Sequence, residues 1–457
     1  MKWAMSINMN VSNGINKVLI AKTVDEILLI IGIMLIPYDA LRVMPSEYRP
    51  VAIFPLLFAL LFCFARRNNR LFTKCRVLLL IFTSYAILTT SLISSNTDLS
   101  IDRVPSFMLT LGIGLFMFFA FGILFLNEIK TKGVSVFLDW LFTWLSRAYV
   151  IPVFVGIIEM LSLIGLLPYS FGAALSHFFG SDQQGRLTMT SYEASWAAFH
   201  LLIAIFAFYY RNKLTGSLYS KLLLFVSICL FLYSQSMQGF LVAIVAFFIY
   251  IAWLSYKKGN LLVLVKWFSL LALVIVVAVV LLRTIYLNGD HDTYYTRRLL
   301  GFNGIDSLIR NDASSFVRIV YPFICLQMFF NHLVFGIGGG MFSAYLPSYI
   351  YCYYPWAAAF GEVAQELAGT LVPSAVCLYT RVLAEHGVIG GAIFVAFLTN
   401  VLKGFRCLGE PTSWRFRLAA FFLITLICMP LQFASYAFLP LWLALGLLDA
   451  LVIYQTE

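Results

Sequence analysis

Residues 104–126 read VPSFMLTLGIGLFMFFAFGILFL, 23 consecutive positions without a charged side chain. A helix of that length rises about 30 Å, the thickness of a bilayer's hydrocarbon core. Runs of the same character recur at 27–37, 51–65, 77–93, 145–167, 194–210, 222–233, 240–254 and 267–285. Together they predict about nine membrane spans before a polar break. The whole chain of 457 residues is 61% hydrophobic and 11% charged, with a mean hydropathy of +0.90. No water-soluble globule hides that much apolar surface. The pattern reads as a single integral membrane domain over residues 1–457, all-α, rather than as a soluble enzyme carrying an anchor.

Charge alternates from loop to loop. Arg66, Arg67, Arg70, Lys74 and Arg76 share one connection, Lys130 and Lys132 another, then Arg211, Lys213 and Lys221, then Lys257 and Lys258. The intervening connections carry Asp98, Asp102 and Asp182 with few basic residues. Cytoplasmic loops collect Lys and Arg, so the N-terminus is expected in the cytoplasm and the end of the ninth span outside. The formal net charge of +10 is then explained by topology, without nucleic acid as a partner. Residues 1–26 lack the apolar core and small-residue cleavage site of a secretory signal and are expected to be retained.

From residue 286 to 370 the chain turns polar, then Gly- and Tyr-rich, which predicts one large external loop holding short helices. The stretch 319–330 inside it is apolar, but it is short, contains Pro322 and Gln327, and is hemmed by Arg318, Asn331 and His332. It argues against itself as a span. Parity agrees, since an extra crossing would place Lys403, Arg406, Arg415 and Arg417 outside. Spans at 371–402, 418–433 and 439–454 then bring the bundle to about twelve transmembrane helices with both termini cytoplasmic.

Several chemistries lack their residues. The eight cysteines are scattered without metal or redox spacing, although Cys325 and Cys352 can both lie in an oxidising space where a bridge is conceivable. His177, His200, His291, His332 and His386 show no paired ligand spacing, so no metal is expected. A phosphate-binding lysine loop is also missing, and no nucleotide or other cofactor is expected.

Arginine on the external side is the feature against the trend: Arg186 before the sixth span, Arg297 and Arg298 in the large loop, and Arg318 at the start of its apolar helix. Guanidinium groups grip phosphate oxygens in a bidentate fork, which suits a pyrophosphate-bearing lipid. Pairing with Asp182, Asp306 or Asp312 is the plainer reading, and both stay open. Glu193 and Ser195 sit at the outer mouth of the sixth span, where a carboxylate serves either catalysis or the helix dipole. Glu385 and His386 form a similar pair at the far end of the loop; Glu385 is a candidate general base, and His386 reads better as an interfacial polar residue. Glu159, inside the fifth span, is hydrogen-bonded structural polarity or the lining of an internal cavity. The run 335–342, FGIGGGMF, lacks dinucleotide-binding spacing and reads as a tight turn whose N–H groups can also cup an anion.

Taken in order, these motifs resemble the Wzy-type O-antigen polymerases, membrane glycosyltransferases related to the O-antigen ligases. Arg186 through Glu193 and Ser195 resembles the family's Arg…Glu-x-Ser motif, and Ser236 through Gly239 its Ser-x-x-Gly turn. Ser315 to Arg318, followed by Gly336 and Gly338, is similar to the Ser-x-x-Arg helix and Gly-Val-Gly turn of its large periplasmic loop. The run from Arg381 to Gly390, with Leu383, Glu385, Gly387 and Gly390, resembles the Leu-x-Glu-x-Gly-x-x-Gly start of the next span. Ligases carry a histidine about nine positions before that Glu, where Val376 and Cys377 stand here, which counts against a ligase and leaves the base open.

The resemblance implies transfer of a glycan from undecaprenyl pyrophosphate to the terminal hydroxyl of a second lipid-linked repeat unit, at the periplasmic side of a bacterial inner membrane. It implies catalytic roles for Arg186, Arg318, Glu193 and Glu385, substrate contacts from Arg297, Arg298, Ser195, Ser236 and Gly338, and a chain-length regulator as a possible protein partner. Loop aromatics, Tyr294, Tyr295, Tyr345, Tyr349, Tyr351, Tyr353 and Trp356, suit sugar stacking as well as an interfacial belt. The rival readings are an O-antigen ligase acting on lipid A core and a lipid-linked oligosaccharide flippase, the latter expected to show repeats and mid-membrane charge.

Overall fold

The computed structural model of the protein describes residues 24–41, 50–66, 72–95, 103–181, 185–258, 309–310, 312–408 and 413–457. Among them the chain is helical throughout, and nine helices are long and apolar enough to cross a membrane. The protein is a polytopic helical membrane protein.

In chain order the helices are α1 (Val24–Met34), α2 (Ile53–Arg66), α3 (Lys74–Ser94), α4 (Val104–Lys132), α5 (Val134–Ala148), α6 (Val150–Leu163), α7 (Tyr169–Phe178), α8 (Ala194–Thr215), α9 (Leu218–Ser234) and α10 (Met237–Lys258). After residue 312 follow α11 (Ala313–Asn331), α12 (Phe342–Tyr353), a 3-10 turn (Pro355–Ala359), α13 (Gly361–Leu367), α14 (Leu378–Val401), α15 (Gly404–Cys407), α16 (Trp414–Cys428) and α17 (Leu439–Thr456). Two compact units emerge: Met1–Leu71 with Phe116–Ser236 and Leu445–Glu457, and Phe72–Leu115 with Met237–Ala444. In the first, α8 packs on α9 and α5, and α6 packs on α7 and α9; in the second, α14 packs on α3 and α11, and α10 on α16.

Eight of the twelve expected spans coincide with helices of crossing length. The runs at 27–37 and 51–65 form helices of 11 and 14 residues, and 222–233 falls in a helix of 17 residues. These are shorter than the roughly 20 residues a straight crossing takes. The run 267–285 lies outside the described residues. The ninth qualifying helix is α11, whose apolar core the sequence alone argues against as a span. It reaches 19 residues because Asp312 starts it well before the apolar stretch: the carboxylate accepts the Ser315 N–H at 2.6 Å. Pro322 is carried inside it. By length and composition this helix qualifies as a candidate span.

Local chemistry explains the other boundaries. Thr73 caps α3, accepting the Arg76 N–H at 3.3 Å. The α8–α9 hairpin turns on Gly216, at φ +63°, followed by Ser217, which caps α9 through the Ser220 N–H at 3.2 Å. Cys325 is buried, Cys352 exposed, and both are free thiols, so the conceivable bridge is not formed.

The break in α14 matters most for the chemistry below. Gly387 leaves helical geometry, at φ +62° and ψ −163°, and frees backbone groups that would otherwise bond within the helix. The 333–340 segment supplies the partners: Ile337 N–H donates to the Ala384 carbonyl at 2.9 Å, Gly338 N–H to the Glu385 carbonyl at 3.0 Å, and Val388 N–H to the Leu333 carbonyl at 2.8 Å. Tyr85 hydroxyl takes the His386 carbonyl at 3.2 Å. Such close backbone approach requires glycine, since a Cβ on Gly336 would lie 2.4 Å from the Glu385 backbone and one on Gly387 2.4 Å from the Val334 carbonyl oxygen.

Candidate functional site

In the first unit the chemistry centres on Glu159 of α6, which is buried. Its Oε2 accepts the Thr188 and Met189 backbone N–H groups at 2.9 and 2.8 Å, and its Oε1 accepts the Ser176 hydroxyl at 2.8 Å and the Thr188 hydroxyl at 3.3 Å. A buried carboxylate is stable when its lone pairs are filled in this way. The bonds also explain Met189, which holds φ +56° with a side chain that disfavours it. Both sequence readings of Glu159 hold together, because it is hydrogen-bonded and lines a cavity.

That cavity, of about 270 Å³, is walled by Glu159, Ser162, Tyr169, Ser176, His177 and Arg186 among others. Arg186 is exposed. Glu193 immediately precedes α8, in extended conformation, and makes no side-chain bond to the helix backbone. Its Oε2 instead accepts the Ser195 hydroxyl at 2.7 Å. Glu193 is half-buried and Ser195 buried. Ser236, in the turn after α9, is also buried.

The same unit contains a triad that the sequence does not reveal. His200 Nε2 lies 2.8 Å from Asp39 Oδ2, and the Tyr149 hydroxyl lies 2.8 Å from His200 Nδ1. All three residues are buried. Both ring nitrogens of His200 thereby have a polar partner, and the arrangement fixes the start of α8 against the segment after α1. Thr190 adds a bond to the Pro37 carbonyl at 2.6 Å.

In the second unit Glu385 is fully buried. Its Oε1 accepts Arg381 Nε at 2.9 Å and the Gly340 N–H at 3.0 Å, while Oε2 accepts the Tyr436 hydroxyl at 3.3 Å. Arg381 also donates to the Ala434 carbonyl at 2.9 Å and stacks over the Tyr436 ring at 5.1 Å. His386 Nε2 faces the Tyr436 hydroxyl at 3.2 Å, and its ring sits 5.4 Å from Phe82 and 5.7 Å from Phe107. His386 is buried rather than interfacial. Burial and the Glu385 carboxylate hold the Tyr436 hydroxyl well above its usual range, so it remains a donor. Gly338, at φ +90°, uses its N–H on the α14 break.

Arg318 lies within the first two turns of α11, half-buried and engaged by neighbours. Arg297 and Arg298, with Tyr294 and Tyr295, lie outside the described residues. Of the remaining loop aromatics, Trp356 packs edge-on to Phe316 at 5.3 Å and beneath Arg310 at 5.0 Å, and Tyr349 accepts from Asn331 at 2.9 Å. Those two serve the loop's own core; Tyr351 and Tyr353 are exposed.

Within that core the Tyr321 hydroxyl donates to the Glu366 carboxylate. Burial, with a further push from Glu362, raises the Glu366 carboxyl from 4.5 to about 7. A carboxyl whose pKa is raised on folding stabilises most below its unfolded value and loses that contribution as pH climbs through the folded one. Thermal midpoints should therefore fall between pH 4.5 and about 7 by an increment that Glu366→Gln removes. An unchanged pH profile in the Gln variant would show that Glu366 does not carry this dependence.

The structure thus places Arg186, Glu193 and Ser195 in the first unit and Arg318, Gly338 and Glu385 in the second. Arg381, Tyr436 and the Asp39–His200–Tyr149 triad are additional. Arg381 has a sequence signal, standing four residues before Glu385 on a helix. Asp39 and His200 are 161 positions apart and have none. No protein-family model matches the chain, and no curated protein matches it.

Proposed function

We propose that the protein is a Wzy-type polymerase that joins lipid-linked sugar repeat units at the periplasmic face of a bacterial inner membrane. The observation that carries this reading is Arg186, an exposed guanidinium lining a polar cavity in a unit built otherwise of apolar helices. It supports the order of motifs from Arg186 to Gly390.

In the proposed reaction the bond between the anomeric carbon of the donor glycan and its undecaprenyl pyrophosphate oxygen breaks. A new bond forms from that carbon to the terminal hydroxyl oxygen of a second lipid-linked unit. The electron pair leaves with the pyrophosphate, and the hydroxyl proton passes to a base. Arg186 is proposed to stabilise the leaving diphosphate, and the resemblance gives Arg318 a catalytic role of its own. Glu193 is the better base, because it is partly exposed and, among the described residues, its carboxylate accepts a hydrogen bond from Ser195 alone. Glu385, enclosed and filled by three donors, is proposed to hold the glycine turn in place. Helix α11 is taken to lie at the outer face, which keeps Lys403, Arg406, Arg415 and Arg417 cytoplasmic.

The test is purified protein in nanodiscs given lipid-linked repeat units, with products resolved by length. Wild type should yield polymer, and Arg186→Ala and Arg318→Ala should each lose at least about a hundredfold in rate, as expected for removal of charge stabilisation. In intact cells the exposed thiol of Cys352 reports topology, since a membrane-impermeant maleimide should reach it from outside. Absence of polymer from wild type would defeat the reading. Full-length free glycan accumulating in a deletion strain would favour the ligase.

A further inference from the structure

We propose that the cavity between α6, α7 and the 185–189 segment is a binding site for a single neutral pyranose ring, the sugar attached directly to the donor's pyrophosphate. This rests on the polymerase reading for the identity of the lipid, but the cavity's chemistry selects its occupant independently. At about 270 Å³, close to the roughly 300 Å³ at which drug-sized pockets begin, it has room for one ring.

The walls favour a polyhydroxyl ligand without charge. Ser162 is buried, and among the described residues its hydroxyl has no hydrogen-bond partner. Such a group is costly unless a ligand or water completes it. Ser176, His177 and Ser181 add polar lining, and Tyr169, about half exposed, offers a ring face of the kind that packs on sugars. Glu159 has its four acceptor positions filled by the protein's own donors, which leaves the hydroxyl-bearing walls to meet the ligand. Gly172 lets α7 approach α6 closely at this wall, since a Cβ there would meet the Ser162 side chain at 2.8 Å.

Arg186 completes the assignment. It is exposed where it lines the cavity, which places a cation at the solvent side of a neutral pocket. A ligand with a neutral ring joined to a diphosphate matches that division, with the diphosphate on Arg186 and the first sugar inside. The anomeric carbon then lies where ring and phosphate meet.

Binding in nanodiscs separates this from the parent reading. The probes are undecaprenyl pyrophosphate alone and undecaprenyl pyrophosphate carrying the repeat unit. Wild type should bind the sugar-bearing lipid at least about tenfold more tightly, the increment of one or two hydrogen bonds with ring packing. Ala173→Trp, which fills the cavity from its wall, should erase that preference while bare undecaprenyl pyrophosphate still binds. Ser162→Ala, a milder change that keeps the fold if the tryptophan does not, should reduce the preference by about threefold or more. Equal affinity of wild type for the two lipids, or a preference left at its wild-type size by both substitutions, overturns the sugar site and leaves the polymerase reading standing. Wild type binding neither lipid overturns both.

Discussion

Arg381→Met is expected to destabilise the protein by about 3–5 kcal/mol, the cost of stranding a buried carboxylate without its countercharge. Glu385 is fully enclosed, and Arg381 is the cation within hydrogen-bonding reach, at 2.9 Å. The remaining donors, the Gly340 N–H and the Tyr436 hydroxyl, are neutral and cannot replace a full charge. The same substitution removes the bond to the Ala434 carbonyl that ties α14 to the segment after α16. Adding Glu385→Gln to Arg381→Met should restore more than half of the loss, because an amide still accepts from Gly340 and no longer needs a cation. Thermal unfolding in detergent, with the singles and the double compared as a cycle, measures the coupling directly. A single Arg381→Met variant that melts with wild type would remove this ion pair from any role in holding the glycine turn.

Much of this was visible in the chain itself, and the parts that were not share a cause. Runs such as 104–126 announce themselves because membrane length and apolarity are properties of contiguous residues. The α8–α9 hairpin is likewise local, with Gly216 and Ser217 stating both its end and its restart. Helix α11 misleads because its length depends on a cap at Asp312 that lies outside the apolar run. The short α1 and α2 show the converse, since 27–37 and 51–65 are apolar enough for lipid but form helices of only 11 and 14 residues. In the candidate sites, Glu159, Glu193 and Glu385 could be noticed because carboxylates near apolar runs are costly. Their partners could not, for Met189 reaches Glu159 across 30 positions and Tyr436 reaches Glu385 across 51. What a buried carboxylate does depends on which donors surround it, and those are tertiary facts.

Glu159 offers the sharpest separation of charge from hydrogen bonding. Glu159→Ala should cost about 3–5 kcal/mol, because it strands two buried backbone N–H groups and leaves a void. Thr188 and Met189 cannot turn these donors elsewhere, since backbone N–H direction is fixed by the chain. Met189 would then hold its left-handed conformation, at φ +56°, without the bond that supports it, and the segment carrying Arg186 should loosen with it. Glu159→Gln should behave quite differently. Its amide oxygen can take the two N–H groups now held by Oε2, at 2.9 and 2.8 Å, while its NH2 donates to Ser176 and Thr188 hydroxyls that rotate from donor to acceptor. The Gln variant is therefore expected to melt within a few degrees of wild type, and Ala to fall well below both. Hydrogen exchange at residues 185–190 should rise in Ala and stay near wild type in Gln. If Gln were as damaging as Ala, the negative charge itself, and not the geometry of four accepted bonds, would be what this unit requires of Glu159.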